Sequence, residues 1–225
     1  MKRLFPLLVI SLLVSSCSQD TYDKGDGQYS YLRGDFVEAL VGADKKIVSL
    51  TTDDGEILPL SQPYTAKWIT RSDTTYRCML YYNKVRDAKG QYTAEPISVG
   101  MVPCPKIGSI SELETPMKTD PVRFESAWIS KTGKYLNLSL ILMTGTTEVE
   151  DAIHTLRVLQ DTIIANPDGS STSHILLYHD QGGVPEYYST PLYASIITSQ
   201  IPADSVRITI NTYKGIIEKA FLINR

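Results

Sequence analysis

The chain has little of what most enzymes and nucleic-acid binders need. Three cysteines and three histidines are spread over 225 residues. They form no CxxC, HExxH or clustered His/Asp spacing, so there is no metal-ligand pattern. There is no GxSxG elbow, P-loop or dinucleotide glycine fingerprint, which leaves serine-elbow hydrolysis and nucleotide chemistry without a recognisable seat. Basic residues number 22 against 25 acidic. Without a basic excess the chain cannot neutralise a phosphate backbone, and nucleic acid is disfavoured as a partner. No apolar run approaches the roughly 20 residues of a spanning helix. Long amphipathic helices and tandem repeats are also missing. These absences point to a non-enzymatic protein with no catalytic residue, no metal site and no cofactor.

What is present begins at the N-terminus. Lys2 to Cys17 reads KRLFPLLVISLLVSSC: two charges, an apolar run of 11 residues from Leu4 to Val14, small residues, then cysteine. That is a secretory signal over residues 1–16 ending in a lipobox, Val14-Ser15-Ser16-Cys17. Cys17 is the expected lipidation site. Several acyl chains anchor stably where one does not. Ser18 stands where inner-membrane retention favours aspartate, so an outer-membrane lipoprotein is expected, on the periplasmic face or the cell surface. Loss of Lys2 and Arg3 with the signal moves the net charge from −3 to about −5. Residues 17–30, with Asp20, Asp23, Asp26, Gly25 and Gly27, read as a flexible tether.

From Tyr31 the pattern is all-β. Asp35 to Gly42, Lys46 to Thr52 and Glu56 to Leu60 look like short strands, with a turn at Asp53-Asp54-Gly55. Tyr76 to Arg86 and Tyr92 to Val102 form a hairpin about Asp87–Gly90. About five strands in residues 31–102 predict a small barrel, OB-like or SH3-like. Residues 103–121 hold Pro103, Pro105, Pro116 and Pro121 and read as an inter-domain linker. In residues 122–225, Leu136, Leu138, Leu140 and Leu142 alternate with Tyr135, Asn137 and Ser139, and Val206, Ile208 and Ile210 do likewise. Phe124 and Trp128 are expected on one face of the preceding strand. Six or seven antiparallel strands predict a β-sandwich.

The segment Pro121 to Met143, with Ser126-Ala127-Trp128-Ile129 and Tyr135-Leu136-Asn137-Leu138, resembles the NigD-like lipoprotein family. The order of lipobox, acidic tether, barrel, proline-rich joint and sandwich resembles it too. The resemblance implies an N-terminal OB-like barrel followed by a C-terminal β-sandwich, and a role in bacteriocin immunity. It carries over no catalytic or binding residue.

Cys78 and Cys104 are an even pair in an oxidising compartment and so a candidate disulfide. A hairpin centred on Asp87–Gly90 sets Cys78 opposite Val99, five residues short of Cys104, which strains that bridge. His174 and His179 are five apart on a strand, hence on opposite faces. Asp53-Asp54 and Glu148-x-Glu150-Asp151 are the carboxylate clusters a glycosidase would need, yet adjacent loop carboxylates do not face across a cleft. Among 14 tyrosines, Tyr81-Tyr82 and Tyr187-Tyr188 are the candidate ligand-contact aromatics, since exposed rings stack on sugars and apolar groups. Trp68 and Trp128 read as core. The expected function is a lipid-anchored binding protein of the gram-negative envelope for a protein, peptide or glycan ligand. A structural component of an outer-membrane assembly is the alternative, and an envelope hydrolase a more distant one.

Overall fold

A computed structural model describes residues 32–148 and 152–223. The signal, Cys17, the tether, Glu150 and Asp151 lie outside the described residues. Among the described residues the regular structure is thirteen strands and two single turns of 3-10 helix.

The first five strands are β1 (Leu32–Val41), β2 (Ile47–Thr52), β3 (Ile57–Tyr64), β4 (Thr74–Arg86) and β5 (Tyr92–Met101). They close into a barrel in the order β1-β2-β3-β5-β4, with β1 paired to both β2 and β4. Alternate residues of each strand point inward, so Val37, Ala39, Leu50, Leu58, Leu80 and Ala94 fill the interior. Tyr82 joins them, fully buried, and its hydroxyl donates to Asp35 at 2.8 Å. Thr65 to Thr70, where the sequence allows a strand or a short turn, holds the turn. Its Ile69 N–H donates to Ala66 O, and Trp68 packs half-buried on the barrel core.

The remaining strands are β6 (Ile107–Ser109), β7 (Arg123–Ile129), β8 (Tyr135–Thr144), β9 (Thr155–Ala165), β10 (Ser171–Asp180), β11 (Tyr188–Ile197), β12 (Ser205–Thr212) and β13 (Gly215–Leu222). A five-stranded sheet, β13-β12-β10-β9-β6, faces a three-stranded one, β11-β8-β7. Leu136, Leu138, Leu140 and Leu142 enter the core between them with Val206, Ile208 and Ile210, as the alternation predicts.

Three expectations about this domain change. The strands are not all antiparallel: β10 pairs with β12, and β6 with β9, in parallel. The proline-rich stretch is not only a linker, because Ile107–Ser109 adds a strand to the larger sheet and Thr119 bridges to His179. Phe124 and Trp128 do not share a face. A bulge between Phe124 and Ser126 shifts the register, sending Phe124 to the sandwich core and Trp128 toward the barrel. One extra residue exchanges the two faces of a strand.

Leu138 is fully buried at the centre of the sandwich. Leu138→Ala should therefore destabilise the protein by about 2–5 kcal/mol, from lost burial and the cavity left behind. Denaturant unfolding with an unchanged m-value is the check.

Candidate functional site

Two places gather polar or exposed aromatic groups, one between the domains and one at the far end of the sandwich.

The first is built on Arg77, from β4, whose side chain is 3% exposed. Its Nη1 and Nη2 donate to the two oxygens of Asp53 at 2.6 and 2.8 Å, a bidentate pair from the turn after β2. Nη2 also donates to Asn137 Oδ1 at 3.0 Å, and Nε donates to Ser195 Oγ at 3.1 Å. Asn137 and Ser195 are register partners on β8 and β11. Asn137 Nδ2 closes the loop by donating to Asp53 Oδ2 at 2.8 Å. A buried guanidinium is tolerated when its fork of donors is matched this way. The guanidinium also lies 3.9 Å from the Tyr135 ring centre and 5.2 Å from that of Phe36. Phe36 packs edge-on against Trp128 and Tyr193. Trp128 thus belongs to the joint and not to either core.

A groove of about 530 Å3 runs beside Arg77, bounded by Glu38, Tyr76, Met101, Cys104, Lys134 and Tyr135. Burial raises the Glu38 pKa, but hydrogen bonds from Lys134 and Tyr135 outweigh it and the carboxyl sits below its ordinary value. Burial and the bond to Glu38 push the Tyr135 phenol up. Tyr76 is drawn down to about 8, by the Thr70 side chain first and then by the Arg71 N–H. The groove thus holds a clamped carboxylate, a cation engaged on all sides and a phenol that retains its proton. Asp53 is taken up by Arg77, while Asp54 stands exposed beside Lys131 at 4.0 Å. The Asp53-Asp54 pair is therefore divided between a structural bond and solvent. Glu148 is exposed.

Cys78 and Cys104 carry free thiols. The hairpin register, with Arg86 opposite Tyr92, and a bulge between Tyr81 and Tyr82, next to Pro96, each shift the pairing by one residue and together set Cys78 opposite Met101 instead of Val99. Burial pushes Cys78 up to about 12 and raises Cys104 too. Both are thiols rather than thiolates at neutral pH.

The second place is the loop end of the sandwich, about seven residues along β8 from Asn137 and so roughly 23 Å away at strand rise. Tyr187 and Tyr188 stand 75% and 53% exposed there. The loop beneath them is built tightly. Gln181 Nε2 donates to Met143 O at 3.0 Å and Val184 O at 2.9 Å. Asp180 accepts from Gly182 N–H at 2.9 Å and from Lys118 at 2.7 Å. A Cβ on Gly182 would lie 2.1 Å from Ile153 O, so only glycine fits. Tyr213 donates to Glu186 at 2.8 Å and adds a half-exposed ring. The other predicted aromatic pair separates. Tyr81 is exposed over Gly34, whereas Tyr82 is barrel core and cannot touch a ligand, because neighbours on a strand point to opposite faces.

His174 and His179 fall on opposite faces of β10, and the partner of His179 is His154. His179 Nδ1 donates to Asp120 O at 2.9 Å, which makes its Nε2 the acceptor for His154 Nδ1–H at 3.0 Å. This pair was not legible from spacing. No group of three or more potential ligands that could hold a metal occurs among the described residues. No helix among them is long and apolar enough to cross a membrane.

A barrel fused through a buried arginine to a sandwich defines a two-domain all-β protein. Residues 105–222, just over half of the chain, match the NigD-like C-terminal β-sandwich domain, and the chain belongs to the NigD-like family. Three solved structures share the fold. A NigD-like immunity protein from Bacteroides caccae is 23% identical, with a TM-score of 0.64 over 85% of this chain and 97% of that one. A protein of unknown function from Bacteroides vulgatus is 16% identical, with a TM-score of 0.61 over 87% and 91%. A lipoprotein candidate from Bacteroides fragilis is 13% identical, with a TM-score of 0.60 over 86% and 99%. No curated protein matches the sequence.

Two outcomes follow from these groups. Arg77→Ala strands Asp53 and Asn137 without their partner and should cost about 3 kcal/mol, the low end for a broken buried pair because Asp53 keeps some solvent. Calorimetry should then show the single unfolding transition broaden or split. Burial first, and then the proximity of His179, hold the His154 pKa below 6.5. The unfolded chain therefore binds more protons just below pH 6.5, and stability falls as pH drops through that value. Urea midpoints at pH 7.0 and 5.5 should differ in wild type, and differ less in His154→Phe.

Proposed function

We propose that this is an exported, lipid-anchored, non-catalytic binding protein of the gram-negative envelope. The observation that carries the reading is the aromatic platform of Tyr187, Tyr188 and Tyr213. Large rings are held open to solvent on a loop that hydrogen bonds and a required glycine make stiff. Rigid exposed aromatics give contact area at low entropic cost. The lipobox ending at Cys17 supplies the anchor, and the outer membrane is the expected location. The joint supports the non-catalytic reading, since its charged groups are engaged with one another. Immunity is the specific form suggested by the name of the Bacteroides caccae neighbour, and a bacteriocin is the target that the resemblance to the NigD-like family implies. A protein, peptide or glycan ligand fits the platform chemically, and nucleic acid does not fit the acidic balance.

A second reading, a spacer in an outer-membrane assembly, has one observation behind it. β13 is an edge strand that exposes Ile216 and Leu222 at 70% and 76%. Open strand edges invite pairing with another chain. Glu218 and Lys219 on the same strand oppose that use.

Membrane fractionation of cells tests the proposal, beside a Cys17→Ala control. Wild type should fractionate with membranes and Cys17→Ala should be released; a wild-type protein found free in the periplasm rules out the anchor. A deletion strain challenged with bacteriocins of neighbouring strains tests the immunity form. Its sensitivity should rise and be restored by wild type but not by Tyr187→Ala/Tyr188→Ala. Unchanged sensitivity discards immunity.

A further inference from the structure

A sheet edge invites another strand unless something blunts it. The two sheets of the sandwich end in the edge strands β13, β6, β11 and β7. Among the described residues, three of these edges are blunted. β6 is only three residues long, and its Ile107 N–H is taken by Gln200 Oε1 at 3.1 Å. β7 is broken by the bulge after Phe124. In β11, Ser195 N–H donates outward to Pro103 O at 2.9 Å, so the odd-numbered residues turn their backbone groups to the edge. Pro191 is one of them and has no N–H to give. β13 differs. It pairs with β12 from Gly215 to Leu222 without a bulge, holds no proline, and exposes Ile216 and Leu222.

Ile223 N–H donates to Asp204 O at 2.8 Å, in step with the β12–β13 register. Odd-numbered residues of β13 therefore turn their N–H and C=O to β12, while Ile216, Glu218, Ala220 and Leu222 turn theirs to the open edge. No described strand takes these up. A second copy of β13, laid antiparallel, does so in one register. With the twofold axis at Lys219, Ile216 of one copy faces Leu222 of the other, and Glu218 faces Ala220. Each outward backbone group of the four residues then has a partner, and the exposed apolar side chains meet. On the other face Ile217 meets Phe221, and both are the half-buried margin of the sandwich core. An axis at Glu218 would set two carboxylates opposite each other, which is unfavourable. An axis at Ala220 would leave Ile216 beyond the partner's strand. Glu218 is already held by Arg207 Nη1 at 2.8 Å. Lys219 alone faces its twin, and its ammonium lies 5.6 Å from the Phe124 ring centre, drawn back over its own sandwich. The charges that turn away a chance strand are thus accommodated by this one.

We propose that β13 is a dimer edge: two copies of this chain pair antiparallel through it about a twofold axis at Lys219, joining their five-stranded sheets into one. The contact is isologous, so it closes on itself and leads to no filament. It does not rest on the assembly reading above, because the partner is the chain itself. The Gly215 ends of the two strands lie at opposite ends of the shared ladder, roughly 27 Å apart at strand rise. Each copy's Tyr213 turn, and the platform it belongs to, therefore stays clear of the other's.

Sedimentation equilibrium of the purified Cys17→Ala protein tests it, with no lipid chain to drive association. A concentration-dependent species of twice the monomer mass is expected. In the same background, Leu222→Asp removes both Ile216–Leu222 pairs and should weaken the dimer about tenfold. Lys219→Ala removes the one like-charge contact and should tighten it about threefold. Both positions are exposed, so the fold should tolerate either change. Oxidation by copper phenanthroline reads the register. Residues on the axis form a non-hydrogen-bonded pair with Cα atoms about 4.5 Å apart, within disulfide reach. Lys219→Cys should therefore link to itself, whereas Ile216→Cys, far from its twin, and the parent protein should not. A folded protein that stays monomeric up to about 100 μM overturns the proposal. A dimer indifferent to Leu222→Asp overturns the edge as its contact, and self-linking of Ile216→Cys as readily as Lys219→Cys overturns the register.

Discussion

A guanidinium shut away from water must have its donors matched, and that constraint organises this molecule. Arg77 leaves the barrel wall and finds its acceptors on three separate pieces: the turn after β2, β8 and β11. Only one placement of barrel against sandwich brings Asp53, Asn137 and Ser195 to it together. A buried ion pair of this kind adds little net stability over an apolar contact, but it penalises every other arrangement heavily. Its contribution is to geometry. The edge-on packing of Phe36 with Trp128 and Tyr193 supplies the apolar part of the same contact. The two domains consequently meet as a single body instead of as beads on a string.

Much of each domain was legible because one-sided burial imposes a period of two. The leucines of β8 and the branched residues of β12 sit where that period puts them. Barrel closure and the parallel pairs were not legible, because they depend on which strands meet and not on what each strand looks like. Bulges were the other blind spot. Pro96 lacks the N–H that a regular ladder needs, and its neighbourhood gains a residue. That slip moved the partner of Cys78 by one position, and the hairpin register, with Arg86 opposite Tyr92, moved it by another. The bulge after Phe124 turned Trp128 outward in the same way. The proline-rich stretch looked like a linker because its prolines interrupt any strand, yet the three residues Ile107–Ser109 between them suffice to edge a sheet.

The exposure of the paired tyrosines was legible in part. Tyr187 and Tyr188 lie at the start of an edge strand, where both neighbours can face water. Tyr81 and Tyr82 lie within a barrel strand, where one of any adjacent pair must turn inward. The sequence rule that separates the two pairs is the strand assignment itself. Arg77 was hidden for the opposite reason. A lone arginine in an aromatic strand looks like a solvated position, and the Asn137 and Ser195 that receive it look like the wet face of a sandwich strand. Their burial comes from the other domain, which no local pattern records.

The position of β1 has a mechanical corollary. It is the first strand of the described residues, so a pull applied to the chain N-terminal of it enters the described fold at Leu32. Leu32–Phe36 are paired to β4 alone, and from Val37 onward the strand is gripped on both edges. A pull along its axis would have to shear two ladders at once instead of unzipping one. Val37 and Ala39 are also plugged into the barrel interior, so sliding the strand would drag side chains through a packed core. A force arriving at the N-terminal side of β1 would thus be met by both neighbouring strands and the packed barrel interior together.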